Sequence, residues 1–171
     1  MASTLTVDNI VGATSASNIH IPGHVIQVVQ SLKTDSVDTA STSFTNTGLS
    51  ALITPSSSSN KILIQVNTVI GQSSFVKRVH LKLTGGNTAS YIGDAGTGVE
   101  SAVSIRTSVN DAYGMMPVSM QYLDSPATTS AITYNVQWRV ESNTAYMNRP
   151  ATLDANGANT ASTIVLMEIA Q

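Results

Sequence analysis

At 171 residues, with 42% hydrophobic and only 11% charged side chains, the chain can close one packed domain but must cover its surface with Ser, Thr, Asn, Gln and Gly. Eight Lys and Arg against ten Asp and Glu leave a net charge of -2, too few cations for the basic face that nucleic-acid phosphates require. Cysteine is absent, which excludes disulfides and thiolate metal sites, and no apolar run approaches the ~20 residues of a membrane-spanning helix.

Residues 1–23, MASTLTVDNIVGATSASNIHIPG, set short apolar pairs among small polar residues and close on Pro22-Gly23. They read as an extended arm with no core of its own, and Leu5, Val7 and Ile10 are its candidate contacts with a neighbouring subunit. The start lacks the basic residues and apolar run of a secretion signal, so the expectation is a chain made in the cytoplasm that stays soluble.

From residue 24 the pattern is one of strands, expected at 24–32, 41–46, 49–54, 61–70, 75–83, 90–92, 99–106, 114–122, 131–141, 144–148 and 163–170. Turn signals separate them: Pro55 with its serine run, Gly85-Gly86-Asn87, Gly93 to Gly98, Asp124-Ser125-Pro126 and Asp154-Ala155-Asn156-Gly157. No segment holds a helical apolar period, so the fold class is all-β, an antiparallel sandwich or barrel over residues 24–171. In 131–141, Tyr134, Val136, Trp138 and Val140 share one side and Thr133, Asn135, Gln137 and Arg139 the other. That alternation describes a strand with Tyr134 and Trp138 in the core. Residues 62–70 and 164–169 instead carry apolar side chains on both faces. For the C-terminal strand the second face is expected to meet another subunit, with Ile164 and Leu166 as candidates.

Chemistry-bearing residues are sparse. There is no Gly-x-Ser-x-Gly elbow, Walker loop or His-Glu-x-x-His helix, so no enzyme and no cofactor is expected. His20 and His24 in HIPGH could ring a metal on a symmetry axis, but no carboxylate accompanies them, and hydrogen-bonding imidazoles at the arm boundary are the simpler reading. His80 reads as an exposed strand histidine, Lys77, Arg78 and Lys82 as the solvated face of its strand, and DANGAN at 154–159 as an Asn-Gly turn without the glutamate of a calcium loop. Tyr91, Tyr113 and Tyr146 sit at loops or strand ends, and Asp94 sits in the Gly-rich YIGDAGTG. These four are the candidate contacts with a receptor or sugar.

Three stretches carry a resemblance: STLTVDNIVGATSASNIHIPGHVIQVVQ; ITPSSSSNKILIQV; and YLDSPATTSAITYNVQWR followed by YMNR and the closing TIVLMEIA. In this order they resemble short tail-fibre and related virion structural proteins of marine bacteriophages. The resemblance spans nearly the whole chain, with 84–111 its least similar part. It implies a jelly-roll β-sandwich head similar to those of C1q and tumour-necrosis-factor type proteins, preceded by the extended arm and assembled as a homotrimer on the virion.

The function this implies is host attachment, the arm docking on other virion proteins while loops meet a host-surface glycan through repeated weak contacts. A capsid or tail decoration (cement) protein of the same fold is the alternative. A glycan-degrading spike would need paired carboxylates from Asp94, Glu100, Asp111 and Asp124, and a cellular lectin-like module would need a route of secretion.

Overall fold

A computed structural model describes residues 7, 10, 12, 21–73, 78–86, 102–106, 112–153 and 158–171. Among these residues there is no helix. The strands are β1 (Val25–Lys33), β2 (Val37–Thr39), β3 (Thr45–Ile53), β4 (Lys61–Gln72), β5 (Val79–Thr84), β6 (Val103–Ile105), β7 (Met115–Asp124), β8 (Ile132–Val140), β9 (Ala145–Met147) and β10 (Ser162–Ile169). All pair antiparallel, in two sheets.

Sheet A runs β1-β10-β4-β7, with β9 continuing along β4 where β10 stops and β2 beside β9; sheet B runs β3-β8-β5-β6. With β2 and β9 set aside as short extensions, the remaining strands, counted in chain order, lie 1-8-3-6 in one sheet and 2-7-4-5 in the other. That is the order two interlocked Greek keys produce, a jelly-roll sandwich.

Period-two alternation fills the space between the sheets. Ile62, Ile64, Val66, Ile164 and Leu166 from sheet A meet Leu49, Ile53, Leu81, Tyr134, Val136 and Trp138 from sheet B, all at most 1% exposed. Fully burying such side chains stabilises the fold by about 1.5–3 kcal/mol each. Tyr134 brings a hydroxyl into this core and donates it to Asp124 Oδ2 at 2.7 Å. Burial, and then the neighbouring carboxylate, push its pKa far above the usual phenol value.

In place of the two strands expected at 41–46 and 49–54 there is one, β3 (Thr45–Ile53), which leaves 41–44 outside any strand and has its register against β8 shifted between Asn46 and Ser50. Gly48 takes a φ of +80°, and the Thr47 hydroxyl donates to Val136 O at 2.8 Å while accepting from Leu49 N at 3.1 Å. A side chain thus satisfies the backbone that the bulge leaves unpaired. His80, expected to be exposed, is 3% exposed. Its Nε2 lies 3.3 Å from Glu141 Oε1, and burial, opposed by that hydrogen bond, lowers its pKa.

Glu168 is the one apparent misfit in an apolar strand. It points inward at 0% exposure, with no cation among its partners. Oε1 accepts from Ser56 N, Ser56 Oγ and Asn60 Nδ2 at 2.7, 2.8 and 2.6 Å, and Oε2 accepts from Gln27 Nε2 at 2.6 Å. Burial alone would raise its pKa above the ordinary 4.5, but these bonds outweigh burial and lower it. A folded-state value below the unfolded one means this contribution is complete above pH 4.5 and is lost as pH falls through the folded value. Glu168→Gln, which sets an amide NH₂ among donors, is expected to lower stability at pH 7 by roughly 2–4 kcal/mol and to flatten the acid limb. Urea unfolding of both proteins between pH 7 and pH 3 checks this; equal stabilities at pH 7 would refute it.

Candidate functional site

One end of the sandwich gathers two of the expected receptor contacts. Gly71, near the end of β4, pairs with Met115 of β7 on one side and Tyr146 of β9 on the other, and Tyr146 pairs in turn with Asp38 of β2. The segment after β9 folds back across this row. A Cβ on Gly71 would meet Arg149 O at 2.4 Å and Pro150 Cα at 2.9 Å, so only glycine admits the crossing. Thr152 N then donates to Ala112 O at 3.0 Å, joining the segment to the loop of Tyr113, which is 56% exposed. The Arg149 guanidinium stacks on the half-buried Tyr146 ring, 4.1 Å from its centroid.

Asn148 anchors this crossing. It adopts a φ of +65°, a region Asn tolerates better than most residues, and is fully buried. Its N–H donates to Val69 O at 3.0 Å, its carbonyl accepts from Thr160 N at 2.9 Å, and its Oδ1 accepts from Ser162 Oγ at 2.6 Å. Its Nδ2 donates to Lys33 O and Asp35 O at 2.9 and 3.0 Å. Every hydrogen-bonding group of the residue is used, tying β4, β9, β10 and the β1–β2 turn to one point. The only local signal of this role in YMNRP is an Asn between a strand and a Pro.

Tyr91 and Asp94 lie outside the described residues. The connection that carries them leaves β5 at Gly85-Gly86, beside Asp124 at the other end of β7 from Met115. Its root is therefore at the opposite end of the sandwich from Tyr113 and Tyr146. Asp124 itself is 6% exposed and engaged by Tyr134 and by Ser125 N, which makes it a turn and core residue; Glu100 and Asp111 are outside the described residues. His20 is outside them too, while His24 Nδ1 is taken up by the Ile21 backbone at the Pro22-Gly23 turn. Among the described residues no cluster of three or more His, Asp or Glu could hold a metal ion. A cleft of about 410 Å³ opens between edge strands β6 and β7; its described lining is Leu83, Ala102, Val103, Ser119, Met120, Gln121 and Tyr122, none of them charged.

The second surface is the outer face of sheet A. Ile164 and Leu166, expected there, are both 0% exposed and point into the chain's own core, so they make no subunit contact. Parity places Thr163, Val165, Met167 and Ile169 outside instead, each partly exposed. Register carries three rows across β1, β10, β4 and β7: Val28, Met167, Leu63, Leu123; then Gln30, Val165, Gln65, Gln121; then Leu32, Thr163, Asn67, Ser119. No residue in these rows is charged. Val28, Leu32 and Leu123 are 58%, 59% and 47% exposed, large values for apolar residues on a sheet face. From the arm, Leu5 lies outside the described residues, and Val7 and Ile10 are about half exposed, at 48% and 55%.

No protein-family model and no curated protein matches the chain. Solved structures do. Infectious bursal disease virus, Gt strain, overlays with a TM-score of 0.41 at 11% identity, covering 100% of this chain and 43% of that one. The VP2 subviral particle of the same virus overlays at 0.35 with 14% identity, covering 100% and 42%. The chain thus spans about two fifths of the solved chains it matches. Overlays this loose fix neither a family nor a function.

Asn148→Asp keeps the side chain's shape but turns its two donations to Lys33 O and Asp35 O into repulsions between oxygens. The expected loss is roughly 2–4 kcal/mol, with faster proteolysis within 149–153. Thermal unfolding and limited proteolysis measure both, and a variant as stable as the parent would refute the anchoring role.

Proposed function

We propose that this chain is a non-enzymatic structural protein of a virus particle: a homotrimeric tail-fibre head of the kind its motifs resemble, fastened by residues 1–23 to other virion proteins. The observation that carries the reading is the outer face of sheet A. Its twelve-residue patch has no charge, mixes an apolar row with rows rich in Gln and Asn, and is left uncovered by every described part of the chain.

The occupant we assign to that face is a second copy of the same chain. Uncharged amide and aliphatic rows make no demand for an oppositely charged partner, so identical faces can meet without burying an unpaired ion. Four strands ~4.8 Å apart and three rows ~6.7 Å apart give a face of roughly 400 Å². A stable interface takes about 800 Å² per partner. The face therefore suffices only as part of a larger contact, and around a threefold axis each copy meets two others, with the arm adding further area. Tyr113, Tyr146 and Arg149 then recur three times at one end of the trimer, an arrangement suited to weak, multiplied contacts with a host-surface glycan.

Light scattering on the full chain, on a chain beginning at His24, and on Met167→Glu tests this. The expected masses are a trimer for the first two and a monomer for the variant, with its far-ultraviolet circular dichroism unchanged because residue 167 faces outward. A monomeric parent would overturn the trimeric head and favour a decoration protein held by neighbouring virion subunits; a trimeric variant would overturn the assignment of this face.

A further inference from the structure

Glutamines hold the middle row of the sheet A face. Gln30 on β1, Gln65 on β4 and Gln121 on β7 share that row with Val165 of β10, and Gln65 stands directly across from Gln121 in the β4–β7 ladder. Gln30 and Gln121 are exposed and Gln65 is half-buried. Among the described residues, none of these three side chains makes a hydrogen bond within the chain. Elsewhere the chain spends such amides. Gln27 Nε2 donates to Thr54 O and Glu168 Oε2 at 2.8 and 2.6 Å, Gln137 Nε2 to Asn46 Oδ1 at 2.9 Å, and Gln171 Nε2 to Ala170 O at 2.9 Å.

Beside this row, between β4 and β7, the face dips into a notch of about 190 Å³ lined by Gln65, Val66, Asn67, Ser119, Met120 and Gln121. Ser119 Oγ donates to Asn67 Oδ1 at 2.7 Å, which orients the Asn67 amide and leaves its Nδ2 to a partner outside the described chain. Val28, Met167, Leu63 and Leu123 flank the glutamines on one side, and Leu32 and Thr163 stand in the row on the other. Gln65 therefore lies inside the patch, away from its rim. Once a partner covers the face, these amides lose their water, and an amide buried without a hydrogen bond opposes association.

We propose that these amides key the contact between copies: Gln65, Gln121 and Asn67 exchange hydrogen bonds with side-chain amides of a second copy, one of which seats in the notch. The inference rests on the assignment of the sheet A face to a self-contact and adds what fixes the geometry of that contact. A primary amide carries both donors and an acceptor, so an identical face supplies the complement of every group on this one. A charged partner would instead bury an ion against a patch that offers it no counter-ion. Aliphatic rows alone can meet in many alignments. Amides at fixed positions are satisfied in one alignment and stranded in the slipped ones, so they select the register at which subunits dock.

The test is analytical ultracentrifugation of the full chain across a range of concentrations, comparing substitutions that each make this face more apolar. Gln65→Leu and Gln121→Leu each remove an amide, whereas Thr163→Val, on the neighbouring strand, removes none. If apolar burial alone held the copies together, all three would tighten association. With the amides as the key, each Leu variant leaves an amide of the second copy unpaired and raises the dissociation constant about tenfold or more, while Thr163→Val associates at least as tightly as the parent. Circular dichroism should be unchanged throughout, because these side chains point away from the core, and Gln121→Leu at an exposed position guards against local damage at the half-buried Gln65. Leu variants that associate as tightly as the parent, or a Thr163→Val weakened as much as they are, would overturn the amide key and leave the self-contact standing. A monomeric parent, or a Met167→Glu that associates like the parent, would overturn the self-contact and this inference with it.

Discussion

A buried carboxylate with no cation among its hydrogen-bond partners governs how this sandwich closes. An isolated ion in an apolar interior is strongly disfavoured, and Glu168 persists at 0% exposure because four donors converge on it. Those donors come from β1 through Gln27 and from the β3–β4 turn through Ser56 and Asn60, and Asn60 Oδ1 accepts from Gln171 N at 3.3 Å. The ion therefore ties the first strand, a turn and the chain's last residues to β10. It also opposes slippage. Gln27 stands directly across from Glu168 in the β1–β10 ladder, and a shift of one residue would turn the carboxylate to the outer face and strand its donors.

The same solution recurs wherever this low-charge chain buries polarity. Asn148 exhausts its hydrogen-bonding capacity on four backbone groups and the Ser162 hydroxyl, and Asp124 takes the hydroxyl that Tyr134 brings into the core. With eight cations in all, and about half of them gathered on sheet B, the interior has few to pair with its carboxylates. Neutral donors do that work instead. The stretches Leu-Asp-Ser-Pro, Asn-Arg and Leu-Met-Glu-Ile each contain one of these three polar centres, so in this chain they close the sandwich and leave any ligand to the surfaces.

Most strand positions were legible because period-two alternation and Gly, Pro and Asn turns mark them directly, and the Tyr134–Trp138 face fell in the core as its pattern required; the three-residue β2 was not expected, and the strand expected at 90–92 lies outside the described residues. Three features were not legible, each for a definite reason. The β3 bulge depends on a Thr47 hydroxyl reaching another strand, so Thr47-Gly48 read as a break. The burial of His80 depends on Arg139 and Glu141, some sixty residues away, and no local window contains them. Ile164 and Leu166 were given the wrong face because β10 is apolar on both sides. Alternation then cannot tell inside from outside, whereas Glu168 with its distant donors can.

Taken together, the two faces give the molecule a direction. Sheet A presents a twelve-residue uncharged patch with half-exposed Val28, Leu32 and Leu123, and sheet B places Lys82 and Arg139 over the Phe44 ring. Water does not require this segregation, since scattered charges would solubilise both faces equally well. Copies meeting through sheet A would leave sheet B outermost on every subunit, because the two lie on opposite sides of one core.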